Sequence, residues 1–203
     1  MDQKQLEEML SKLTKTREEY VTDPYDQQSM YEDIASSSEN LSPEDIAGIA
    51  GVESEFGKYD KPMAGGRARG TFQMMPNTLK YLSERSELPR EANPLREEAR
   101  LMKELIPQHE MELEKTLGPD VEISSADIYV KHNLGQGKGK KLLKAKGRTP
   151  TDEILSQEII EANPSIYKDK TKAQVMEEIR KRLNKKSKEF KFENRSPLGF
   201  LED

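Results

Sequence analysis

The stretch Ile46-Ala47-Gly48-Ile49-Ala50-Gly51-Val52-Glu53-Ser54-Glu55-Phe56 decides how this chain is read. Just before it stands Ser42-Pro43-Glu44-Asp45. That is a hydroxyl at the N-cap, proline at the first helical position and acids in the first turn, so a helix is expected to start there. At roughly 100° per residue, Ile46, Ile49, Ala50 and Phe56 fall on one stripe. Glu53 lies in the middle of that stripe, whereas Glu55 points to the opposite side. A carboxylate among apolar neighbours is costly to ionise, so its pKa rises and it can hold a proton near neutral pH, as a general acid must. The alternative is that Glu53 ends the stripe and turns to solvent or makes a structural hydrogen bond. The helix alone does not separate the two.

Composition bounds the rest. The chain has 203 residues, 33% hydrophobic and 35% charged, which suits one compact domain with modest exposed appendages. No apolar run is long enough to span a bilayer, and Met1-Asp-Gln-Lys-Gln-Leu-Glu-Glu lacks the basic and apolar regions of a signal peptide. With no cysteine and only two histidines, neither disulfides nor a zinc site is expected. The net charge of −5 hides an asymmetry: residues 1–62 carry 15 acids and 6 bases (−9), residues 168–191 carry 10 bases and 4 acids (+6). The bases lie on an amphipathic helix with Val175, Met176, Ile179 and Leu183 inside and Arg180, Lys181 and Arg182 outside. No aromatic residues alternate with them, so a solvated helix face is favoured over a nucleic-acid surface.

Working outward, a helix is expected over residues 3–20, a short one from about Tyr25 to Ala35, and a linker over 36–42. Residues 57–70, rich in glycine and bases, read as an irregular loop or small hairpin insertion. Helices follow from Pro76 through Leu82, over 95–117 with a kink or break at Pro107, over 125–133, 138–146 and 156–162, and from about Thr171 to Lys185. The expected organisation is an N-terminal helical extension (1–40), one mainly helical domain (41–185) and a flexible tail (186–203).

Three segments carry a resemblance. Glu53-Ser54 followed by Phe56, then Ala68-x-Gly70-x-Phe72-Gln73-x-Met75-Pro76-x-Thr78, then Asn133-Leu134-Gly135-Gln136-Gly137, resemble in order and spacing the three motifs of lytic transglycosylases with the goose-type lysozyme fold. The resemblance implies a mainly α fold within the α+β lysozyme-like superfamily. The flanking Asp127-Ile-Tyr129-Val-Lys-His132, Thr149-Pro150 and Ala162-Asn163-Pro164-Ser-Ile-Tyr167 look like the phage and prophage variant. Departures are His132 where the family has tyrosine, Leu134 where it has a small residue, Ala64 where it has serine, and the missing C-terminal tyrosine motif.

What the resemblance implies is an enzyme cutting the bond between N-acetylmuramic acid and N-acetylglucosamine, with Glu53 as the single acid and base and no cofactor or metal. Ser54, Gly70, Phe72, Gln73, Asn133, Gly135, Tyr129 and Tyr167 would line the glycan site. Either Tyr129 or Tyr167 would supply the hydroxyl beside Glu53. His132 is expected to be a structural hydrogen-bonding residue, and Met74 and Met75 core or pocket wall. The partners implied are peptidoglycan strands and, through the N-terminal helix or the tail, other virion proteins. The protein would be made in the host cytoplasm and act on periplasmic peptidoglycan. Two alternatives stay open: a hydrolytic muramidase in which Asp60 or Glu55 activates water, and a virion structural protein that keeps the fold.

Overall fold

The computed structural model describes residues 4, 5, 7, 25–58, 68–86 and 89–193. The expected helix over 3–20 and Asp60 and Ala64 lie wholly or largely outside those residues, as do most of the 57–70 insertion and the tail beyond residue 193. The described residues are mainly helical and contain no strand; two isolated antiparallel bridges join Arg69 to Met74 and Pro150 to Thr171. In chain order the helices are α1 (Gln27–Ala35), α2 (Pro43–Ser54), α3 (Pro76–Arg85), α4 (Pro94–Leu117), α5 (Ser125–Lys144), α6 (Gln157–Ala162), α7 (Pro164–Tyr167) and α8 (Lys172–Glu189), with a 3₁₀ turn at Thr151–Glu153 before α6.

Helix α2 is the central strut. Ser42 and Asp45 form a reciprocal capping box at its start, satisfying two backbone donors that the first turn would otherwise leave open. Its most extensive packing is against α8, and the sequence permits it through small residues. A Cβ on Gly48 would stand 2.9 Å from the Leu183 carbonyl oxygen, and one on Gly51 would stand 2.7 Å from the Lys186 Cβ. Ile46, Ile49 and Ala50 are buried as the stripe requires. Phe56 leaves the helix, however. Glu55 and Phe56 both adopt positive φ (52° and 61°), and the Phe56 amide donates back to the Ala50 carbonyl. This is a left-handed helix ending that ends the 3.6-residue period before Phe56.

Other boundaries also moved. Pro107 lies inside a continuous α4. The two helices expected over 125–133 and 138–146 are the two arms of α5, which meet at a kink at Gly135, whose φ of 69° and ψ of −179° are not helical. The segment 25–40, expected as part of an extension, supplies Met30, Tyr31 and Ile34 to the core, all fully buried. The expected tail boundary at 185/186 falls inside α8. Beyond it, Phe190 packs edge-on to Tyr31 and Phe192 and tilted on Phe56. Gln28 and Glu193 exchange two hydrogen bonds, so α1 and residues 190–193 are laced together. No described helix is long and apolar enough to cross a membrane.

Candidate functional site

Glu53 stands one residue before the end of α2. It is partly buried, and its Oε1 is shielded from solvent with no hydrogen-bond partner among the described residues. Loss of solvation pushes its pKa up to about 8, against the pull of a hydrogen bond from Asn133. The carboxyl group therefore holds its proton at neutral pH. Burial and Asn133 set this balance, with no contribution from a neighbouring charge among the described residues.

Asn133 sits on α5, just before the bend at Gly135. Its Oδ1 accepts a hydrogen bond from the Tyr167 hydroxyl at 3.0 Å, which leaves its amide nitrogen to donate to Glu53. Tyr129 is also close enough for the Glu53 charge to act on it: burial first, then Glu53, raises the pKa of both tyrosines. Both tyrosines thus feel the Glu53 charge, and Tyr167 is linked to Glu53 through Asn133. The short α6–α7 corner carries Tyr167 into the core, where it is fully buried.

The Gly70–Gln73 turn has a different character from the one expected. Ser54 is buried, and its hydroxyl donates to the Thr71 carbonyl at 2.7 Å while accepting from the Gly57 amide at 2.7 Å. Phe72 is 0% exposed and lies edge-on to Tyr31. Neither side chain is free to touch a ligand; Ser54 and Phe72 anchor the turn instead. Gly70 is buried with φ of 81° and is crowded by Glu98, so it too is a packing position. Gln73, at φ 47°, is the member of the turn that reaches a cavity, with its Nε2 donating to the Gly70 carbonyl at 3.0 Å.

That cavity has a volume of about 400 Å³ and lies between α3, α4 and α5. Gln73, Met75, Tyr81, His109 and Gly135 are on its wall, together with the ion pair between buried Lys131 and partly exposed Glu112. Met74 is core, whereas Met75 is 52% exposed. His132 pairs through Nε2 with the Phe72 carbonyl at 2.7 Å, and burial lowers its pKa, so it acts as a neutral donor. Glu55, the left-handed residue that ends α2, is engaged by Lys186 at 3.0 Å. Among the described residues no group of three or more His, Cys, Asp or Glu could hold a metal ion.

One buried acid was not read from the sequence. Glu98 on α4 is 2% exposed and accepts from the Phe72 amide at 2.9 Å and from the amide and hydroxyl of Thr71. Burial pushes its pKa up to about 7 despite those bonds. The signal was present: Leu95, Glu98, Met102 and Leu105 run at helical spacing, so Glu98 lies on an apolar stripe as Glu53 does. The chain matches no family model, and no curated protein matches it either.

Proposed function

We propose that this protein is a peptidoglycan lytic transglycosylase of the lysozyme-like fold, with Glu53 as its only acid and base. The observation that carries the reading is a carboxyl group kept protonated near neutrality by burial, one oxygen of which has no hydrogen-bond partner among the described residues. Such a group is suited to protonating a leaving oxygen. The three motifs around Glu53, Gln73 and Asn133 give the substrate class.

In this mechanism Glu53 donates its proton to the glycosidic oxygen as the bond from the muramic C1 breaks. The substrate's acetamide stabilises the cation at C1. The Glu53 carboxylate then takes the proton of the muramic C6 hydroxyl, and O6 closes on C1. The product is a 1,6-anhydro sugar, no water is consumed and Glu53 ends protonated again. Most glycosidases use two carboxyl groups. Among the described residues burial and Asn133 set the state of Glu53 with no neighbouring charge, in keeping with a single-acid route, and Asp60 lies outside those residues. Asn133 orients the carboxylate after proton loss, and Gln73 binds sugar with its amide. Partnership with virion components is part of the proposal and would be read by detecting the chain in purified phage particles.

Zymography on purified cell walls tests the activity. The parent should clear the substrate and Glu53→Gln, which keeps the shape and removes the proton, should not. An active Glu53→Gln variant moves the acid elsewhere, and an inactive parent favours a structural role for the fold.

A further inference from the structure

Glu98 takes no part in the steps above, yet the Gly70–Gln73 turn is built around it. Its carboxylate collects three donors from two consecutive residues: the Phe72 amide, the Thr71 amide and the Thr71 hydroxyl. The turn lies so close that a Cβ on Gly70 would stand 2.5 Å from Glu98 Oε1. The remaining carbonyls are taken from other directions, Thr71 by Ser54 and Phe72 by His132. Three helices, α2, α4 and α5, therefore converge on the turn's backbone, and its own side chain Gln73 stands on the cavity wall. Three donors in so short a span require an acceptor with several lone pairs. A carboxylate has about four such sites, whereas a neutral amide has one acceptor oxygen and adds two donors. Burying an acid is costly, so a role in simple space filling would be served better by an apolar side chain.

We propose that Glu98 is a positioning residue: a buried acceptor that fixes the Gly70–Gln73 turn and so holds Gln73 on the cavity wall, where it would meet the glycan. The glycan in this statement rests on the transglycosylase reading, whereas the clamp on the turn does not.

Glu98→Gln fills the same space, so a packing role leaves the protein unchanged and an acceptor role does not. In the full chain this variant should lower kcat for release of glycan fragments from peptidoglycan about tenfold, the size expected for one lost buried hydrogen bond, while the thermal midpoint stays close to that of the parent. Amide hydrogen exchange at Thr71 and Phe72 should quicken about tenfold relative to amides of α8. Thr71→Val removes only the hydroxyl donor and should shift both readouts the same way by less. Parent-like exchange and kcat in Glu98→Gln overturn the proposal. Should that variant fail to fold, parent-like exchange at Phe72 in Thr71→Val overturns it instead. A parent that cuts no glycan defeats the transglycosylase reading, and the exchange measurement still decides the clamp.

Discussion

At the residue scale, the chemistry turns on how far the protein shifts one proton. Glu53 holds its proton up to about pH 8, so the alkaline limb of the activity profile should fall near that value. The hydrogen bond from Asn133 favours the charged form and pulls the pKa down. Asn133→Ala should therefore move the alkaline limb upward while lowering the rate, because the anion formed in the second step loses its support. A limb that stays put or moves down would contradict this arrangement. Tyr167→Phe removes the donor that holds Asn133 Oδ1 and should lower kcat about tenfold, with KM changed less; steady-state kinetics on a soluble muropeptide polymer would read the split. Helical spacing placed Glu53 on the apolar stripe of α2 without deciding whether it turns inward, and the Gln73 and Asn133 motifs singled it out. The inward roles of Ser54 and Phe72 could not be read from sequence, because a motif shows which residues recur and not which way a turn faces.

At the scale of elements, helices were legible wherever an apolar period met a capping signal, as in α2 with Ser42-Pro43 and α8 with Thr171. Their ends were less so. The left-handed ending at Glu55–Phe56 carries no glycine at either position to announce it. The charged run at the end of α8 resembles a solvated tail, but the helix continues to Glu189 with a tertiary bond from Lys186 to Glu55 at 3.0 Å and an i,i+3 pair of Lys186 with Glu189 at 2.7 Å. Removing residues 186–203 should thus lower the thermal midpoint by several degrees, through loss of those ion pairs and of Phe190 from the Tyr31 cluster. A removable tail would leave it unchanged. Gly51→Ala should cost about 1–3 kcal/mol, because the new methyl group meets the Lys186 side chain and the Phe56 ring; chemical denaturation measures it.

At the scale of the whole molecule, the site is carried at a cost in stability. Glu53 and Glu98 have folded pKa values of about 8 and about 7 against an ordinary 4.5. Between those limits the native state keeps protons that the unfolded chain has released, so stability from these groups is greatest below about 4.5 and is lost as pH rises through 7 and 8. Buried neutral His109, lowered to about 3, and His132 act in the opposite sense, destabilising as pH falls below 6.5. The window from 6.5 to 8 therefore isolates the acids. Above pH 8, Glu53→Gln should be more stable than the parent by on the order of 3 kcal/mol, and calorimetry across that window would show the difference growing with pH. A difference that shrinks with rising pH would contradict a buried protonated Glu53.

The same carboxyl group gives the most direct test of the proposed activity. Purified peptidoglycan digested by the parent protein and analysed by mass spectrometry should yield muropeptides ending in 1,6-anhydro-N-acetylmuramic acid, and Glu53→Gln should release none. Products with reducing ends, one water heavier, would contradict the transglycosylase mechanism and point to hydrolysis.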